Sequence, residues 1–288
     1  MTASPTTLDY PYNPARWMGG RITPDLVILH DTASRLKKGA AANYLRDNGR
    51  KVSVHFVVER DGSIEQQVPL DHRANHAGAS HYHGRDGCNG FSIGVEIVNP
   101  GRMTLAAEHQ ARTWYGESFS IAYEDIRDVT TPQHGSGLWM PYTAEQIDAV
   151  LELLDKLFDE VPTLQDIRTH WYVSPGRKID TNPLFPLEQV RARILGREEP
   201  AEEAALAAAI PSPPDEFVEI NTPGDTLNLR RWPSFNPNVI AAIPDRTLVP
   251  VIRQGEIDGR LWRYVQYGGA QGWVLAAYTN PVTYKELT

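Results

Sequence analysis

Apolar positions along the chain fall into short blocks separated by turns, with one long helical exception. Asp25 precedes Leu26-Val27-Ile28-Leu29, a continuous apolar run that predicts a buried strand ending at His30. Gly39 to Asn48 predicts a short helix closed at Gly49. Val52 to Val58 reads as a strand, Arg60-Asp61-Gly62 as a turn, and Ile64 to Val68 as the returning strand of a hairpin. Phe91 to Val98 is an apolar strand broken by one charge, Glu96. The clearest helix starts at Thr143. Gln146 three positions later completes a capping box, and Ile147, Val150, Leu151, Leu154 and Phe158 share one face. A last helix, Leu187 to Leu195, stops at Gly196.

Between these blocks the signals weaken. Asp71 to Gly90 is a loop rich in His, Gly, Asn and Asp. Asn99 to Pro141 is a long insertion carrying Trp114, Tyr115, Phe119, Tyr123 and Trp139, whose aromatics are expected to pack beneath a loop. Residues 197–216 are rich in Ala, Glu and Pro and read as a linker. Beyond it, Phe217–Ile220, Leu227–Arg230, Leu248–Ile252, Leu261–Val265 and Gly272–Val274 alternate with turns at the spacing of a small β-barrel. The expected architecture is therefore α/β over residues 1–196, a linker over 197–216, and a small all-β domain over 217–288.

Composition narrows the function. The 288 residues carry a net charge of −8 without a basic block, which gives no footprint for nucleic acid. No apolar stretch approaches the ~20 residues of a membrane helix. Residues 1–14 lack the basic start and apolar core of a Sec signal, so synthesis in the cytoplasm is expected, with a holin-type or other non-Sec route if the protein acts outside. Cys88 is the single cysteine, which excludes an internal disulfide and a cysteine-based structural zinc site. It reads as a small buried hydrophobe.

The candidate chemistry lies in Thr169 to Asp180. Pro175-Gly176 forbids a continuous helix there, and a turn can return His170 and Asp180 to one point, with Lys178 beside them. Imidazole and carboxylate suit zinc, and His30, at its strand end, supplies a third ligand, leaving a fourth position for water. A histidine at a strand end taken singly is more often hydrogen-bonded structure than a ligand. Glu96 has two readings of equal weight. Either it alternates outward from a strand whose Val95 and Ile97 face inward, or it is a general base tuned by a site. His72, His76, His81 and His83 invite a second metal site, but solvated loop residues are the simpler account.

Several segments occur in an order that resembles a known family: Leu29-His30-Asp31-Thr32-Ala33, Val54-His55-Phe56 through Gly62, Asn75-His76-Ala77-Gly78, Ser92-Ile93-Gly94-Val95-Glu96 and Ser174-Pro175-Gly176-Arg177-Lys178-Ile179-Asp180. From Leu26 to Leu195 the chain is similar to the zinc-dependent N-acetylmuramoyl-L-alanine amidases of the type-2 group. These include cytoplasmic muropeptide-recycling amidases, many phage endolysins and animal peptidoglycan recognition proteins. The resemblance implies a mixed β-sheet flanked by helices, zinc on His30, His170 and Asp180, Glu96 and Lys178 as catalytic residues, and His76 on the groove wall near substrate. Asp31 stands where many members have a second histidine, and Val54 where some have a tyrosine. A glutamate, a lysine and an aspartate ligand match the recycling subtype.

The C-terminal segments Leu227 to Ser234, Val239 to Pro244 and Gly272-Trp273-Val274 with Tyr278 resemble bacterial SH3 domains, which implies binding to cell-wall peptide or glycan. Together the two resemblances imply hydrolysis of the bond between N-acetylmuramic acid and L-alanine in peptidoglycan or muropeptides. A phage- or prophage-type endolysin is the leading expectation because of the second domain. A cytoplasmic recycling amidase is the alternative, and a non-catalytic peptidoglycan binder is the alternative of another class.

Overall fold

A computed structural model describes residues 6–196, 210–211, 216–231, 233, 235, 239–257 and 259–282. Two compact units divide the chain, residues 1–187 and 188–288. The linker expected over 197–216 and Trp232 and Ser234 of the SH3-like motif fall almost wholly outside the described residues.

The first unit is built on five strands: β1 (Leu26–Asp31), β2 (Phe56–Val58), β3 (Ile64–Gln66), β4 (Ser92–Ile97) and β5 (Asp166–Thr169). They lie in the order β5-β1-β4-β2-β3, and only the β2–β3 hairpin is antiparallel, so the sheet is mixed as expected. β1 is buried at all six positions, as a continuous apolar run in a parallel sheet should be. Helices α1 (Ala40–Arg46) and α2 (Ala144–Glu160) and the single turn α3 (His170–Val173) accompany the sheet.

The α2 capping box forms: Thr143 Oγ1 accepts from the Gln146 N–H at 3.1 Å, and Gln146 Oε1 accepts from the Thr143 N–H at 3.2 Å. The buried face is turned from the expected one. It runs through Gln146, Ala149, Val150, Leu153, Leu154, Leu157 and Phe158, leaving Ile147 and Leu151 half-buried at its rim. Gln146 is drawn inward because its Nε2 donates to the Val98 carbonyl at 2.9 Å, an attachment invisible to hydrophobic periodicity. The strand expected over Val52–Val58 begins only at Phe56. Ahead of it, Ser53 is held by loops, donating from Oγ to the Trp17 carbonyl at 2.5 Å and accepting from the Asn75 N–H at 2.9 Å.

The insertion is more ordered than its sequence suggests. It folds into a three-stranded meander (Thr104–Ala107, Gln110–Arg112, Ser118–Ser120) and a hairpin (Arg127–Thr131 with Gly135–Trp139) around Met103, Ala111, Ile126 and Met140. Trp139 is buried, but Trp114 and Tyr123 are 76% and 87% exposed, so packing beneath the loop does not account for them.

The second unit takes all but the first residue of a helix, Leu187–Leu195, and an antiparallel sheet. Its strands include Phe217–Ile220, Thr226–Arg230, Val239–Pro244, Leu248–Ile257, Arg260–Tyr267, Ala270–Leu275 and Thr279–Val282. Alternating residues of these strands, among them Val218, Ile220, Leu227, Leu229, Val249, Val251 and Val265, make its core.

Candidate active site

Strand alternation selects which side chains meet. Leu26 and Ile28 pack with Ala77, Cys88 and Val173 on one face of β1, and His30 is the next residue on that face. In the parallel pairing His30 lies opposite Glu96, which therefore shares its face together with Ser92 and Gly94. β5 is the other neighbour of β1, and it delivers His170 immediately after its last residue. Three candidate residues thus stand at the carboxyl ends of three adjacent parallel strands.

Asp180 is returned to His170 by a closed loop. The Arg177 and Lys178 N–H groups both donate to the Ser174 carbonyl, Gly176 takes a positive φ of 73°, and the Trp171 N–H donates to the Asp180 carbonyl at 2.8 Å. Ser174 and Arg177 bind this loop to the His-Ala-Gly segment. Ser174 Oγ donates to the Ala79 carbonyl at 2.9 Å, and Arg177 Nη2 donates to the Ala77 carbonyl at 2.6 Å and to Ser174 Oγ at 2.7 Å. Both residues sit in the recognised motif, yet its reading gave them no task.

The result is a cluster of three ligand atoms. His30 Nδ1 and His170 Nδ1 are 2.9 Å apart, and Asp180 Oδ2 lies 3.2 Å from the first and 2.9 Å from the second. The edge of a tetrahedron with zinc–ligand bonds of ~2.0–2.1 Å is ~3.3 Å, close to these separations. His170 Nε2 faces the Ala77 carbonyl at 3.0 Å, which can only accept, so Nε2 carries the proton and Nδ1 is bare. Arg177 Nη2 also lies 3.2 Å from His170 Nε2, but its two protons are committed to the shorter bonds already named. A bare imidazole nitrogen facing a carboxylate oxygen is repulsive unless a cation joins them. Two nitrogens and one oxygen fit zinc.

Electrostatics agree with that geometry. Burial, reinforced by His170, lowers His30 to about 4. Burial pushes the Asp180 carboxyl up, but the two imidazoles beside it, His170 and His30, outweigh that and hold the group well below its ordinary value. Burial first, then the charges of Asp180 and Asp31, raise Glu96 to about 8 against the opposing pull of Lys178. Strand β4 is buried on both faces, so outward alternation does not explain Glu96. Its Oε2 is buried without a hydrogen-bond partner.

Glu96, Lys178, His76, His170 and Asp180 line one cavity of about 620 Å³, and His30 is buried against His170 and His76. Arg35, Tyr44 and Arg50 extend it, and Trp114 and Tyr115 bring the insertion to its wall. His76 is both a wall residue and a neighbour of His30, its Nδ1 lying 2.9 Å from His30 Nε2. The other loop histidines disperse. His81 pairs with Asp86, His83 stacks on Tyr82, and His72 pairs with Asp71. Among the described residues, His30, His170 and Asp180 form the single metal-competent group. Cys88 is buried as expected.

The sequence profile of the family described as N-acetylmuramoyl-L-alanine amidase matches residues 20–183, more than half of the chain. The chain belongs to this family. It is similar to the 1,6-anhydro-N-acetylmuramyl-L-alanine amidase AmpD of Salmonella typhimurium strain LT2, at 32% identity over 145 residues, covering 50% of this chain and 58% of that one. The Escherichia coli K12 AmpD is 32% identical over 149 residues, 52% of this chain and 61% of its own. The N-acetylmuramoyl-L-alanine amidase AmiD of E. coli K12 is 26% identical over 212 residues, 71% and 63% respectively. The chain thus spans about three-fifths of the length of these relatives. Among solved structures, E. coli AmiD in complex with anhydro-N-acetylmuramic acid-L-Ala-D-gamma-Glu-L-Lys aligns at 25% identity over 70% of this chain and 69% of that one, with a TM-score of 0.45. No helix among the described residues is long and apolar enough to cross a membrane.

Proposed function

We propose that this chain is a zinc-dependent amidase that cleaves the bond between the lactyl group of 1,6-anhydro-N-acetylmuramic acid and L-alanine in soluble muropeptides. The observation that carries the reading is the convergence of His30 Nδ1, His170 Nδ1 and Asp180 Oδ2 within 2.9–3.2 Å, in the cavity that Glu96 and Lys178 line. Family membership supports the reaction class. The names of the AmpD relatives favour the anhydro-muropeptide. That reverses the order of the two enzyme readings drawn from sequence, in which the endolysin led.

The three ligands would hold zinc, which when bound supplies Lewis acidity and lowers the pKa of water to ~7. Glu96 takes the proton of the attacking water and returns it to the alanine nitrogen as the C–N bond breaks. Glu96 would be more readily ionised, as a base requires, if the Asp180 charge that helps raise it were neutralised by a bound cation. The Lys178 ammonium stabilises the carbonyl oxygen as it becomes an oxyanion. Arg177 and Ser174 keep the loop that bears Lys178 and Asp180 against Ala77 and Ala79.

The second reading is cleavage of polymeric wall, with residues 217–288 as an SH3-like wall-binding domain. The antiparallel sheet and its alternating apolar core favour that domain type. A complete ligand set argues against a non-catalytic binder. The deciding experiment compares peptide release from 1,6-anhydro-muropeptides with release from purified insoluble wall. Faster turnover of the soluble substrate is expected, and the reverse would promote the lytic reading.

A further inference from the structure

The outer nitrogen of His30 has an unusual partner. His30 Nδ1 faces His170 and Asp180, so Nε2 points the other way and meets His76 Nδ1 at 2.9 Å. Two imidazole nitrogens at that distance need one proton between them, and either ring could own it. The next link decides. His76 Nε2 lies 3.3 Å from Ser92 Oγ, and Ser92 spends its one hydroxyl proton on the Cys88 carbonyl at 2.6 Å. Ser92 can therefore only accept from His76, so neutral His76 carries its proton on Nε2 and presents a bare Nδ1. His30 must then be protonated on Nε2 and bare on Nδ1.

The neighbours of His76 are shaped to keep it there. A Cβ at Gly94 would fall 2.5 Å from its ring Cγ, so the strand approaches the imidazole as only glycine can. The backbone N–H groups of His76 and Ala77 both donate to Asn89 Oδ1, at 3.1 and 2.8 Å. The His55 ring stands edge-on 5.9 Å away, and its Nδ1 accepts the Gly94 N–H at 3.0 Å.

We infer that His76 is a positioning residue. Its bond to Ser92, oriented by the Cys88 carbonyl, fixes His30 as the Nε2–H tautomer and leaves Nδ1 free for the metal. A partner that sets a ligand's tautomer raises its affinity for metal, and loss of such a partner costs roughly 10–100-fold. This assignment rests on the zinc reading above and adds to it a residue that touches neither metal nor reacting atoms.

The test uses the full chain with two readouts other than activity. The first is nitrogen NMR of zinc-loaded wild type, where His30 should show a protonated Nε2 hydrogen-bonded to His76 Nδ1. The second is zinc affinity by chelator competition for His76→Phe, which removes the acceptor, and His76→Gln, which keeps one. His76→Phe should bind zinc roughly 10–100-fold more weakly than wild type, with His76→Gln recovering most of the loss. A His30 protonated on Nδ1, or equal affinity in all three proteins, would overturn the assignment. If His76→Phe does not fold, the wild-type tautomer and His76→Gln still decide it. Wild type that bound no zinc would overturn the zinc reading as well, a result distinct from equal affinity among variants.

Discussion

Asp31 and Asn182 are joined across the site: the Asn182 N–H donates to Asp31 Oδ2 at 2.8 Å, two residues beyond Asp180. The other carboxyl oxygen of Asp31 accepts from the Tyr142 hydroxyl. Asp31 follows His30, so a single buried side chain ties the segments bearing His30 and Asp180 to the start of α2. Replacement by alanine strands the Tyr142 hydroxyl, at ~1–3 kcal/mol, and leaves the Asn182 N–H only its longer contact with the Tyr142 oxygen at 3.2 Å. Asp31→Ala should lower unfolding free energy by about 1–3 kcal/mol and weaken zinc binding, while Asp31→Asn, which keeps an acceptor for Asn182, should lose less than half as much. Denaturant unfolding with chelator titration checks both.

His55 makes stability depend on pH. The ring is fully buried, with Nε2 donating to the His72 carbonyl at 2.9 Å and Nδ1 accepting from Gly94. Burial lowers its folded-state value to about 4, against an unfolded value of 6.5. The folded state therefore resists protonation. The His55 contribution is fully present above pH 6.5 and is lost as pH falls toward 4. Between pH 7 and pH 5 that loss is about 2 kcal/mol. His55→Gln should unfold more easily than wild type at pH 7, and its midpoint should shift less on moving to pH 5. Equal shifts in the two proteins would count against His55 as the source.

The fold was legible where one signal dominated. The all-apolar run of β1 and the Thr143–Gln146 capping box marked their elements, and the ordered motifs contain the three residues, His30, His170 and Asp180, that the fold brings together. Contacts made across the chain were less legible. Nothing in the local pattern announces that Asp31 reaches Asn182, that Gln146 turns inward to Val98, or that Arg177 ties its loop to Ala77. The insertion was opaque for a related reason. Its strands are short and mostly exposed, so hydrophobic alternation is weak there.

Trp114 is one of two insertion residues, with Tyr115, that line the cavity. Its indole N–H donates to the Ala33 carbonyl at 2.8 Å, and Tyr115 donates to the Ser34 carbonyl at 2.9 Å, so the exposed ring is fixed beside the loop that follows His30. A held aromatic face offers a bound substrate ~0.5–1.5 kcal/mol of contact. Trp114→Ala should raise KM for muropeptide by a few-fold to about tenfold. Its kcat should change little, because the ring takes no part in the proton transfers assigned to Glu96. A selective fall in kcat would contradict that division.

The central claim is that zinc on His30, His170 and Asp180 works with Glu96 to cleave the muramoyl–alanine bond. Its most direct measurement is single-turnover hydrolysis of a 1,6-anhydro-N-acetylmuramoyl peptide by wild type and Glu96→Gln, each shown by metal analysis to carry one zinc. Wild type should release the peptide, and Glu96→Gln should be slower by roughly 10²–10⁴-fold with its zinc retained. A zinc-loaded Glu96→Gln protein that cleaves at close to the wild-type rate would contradict the account.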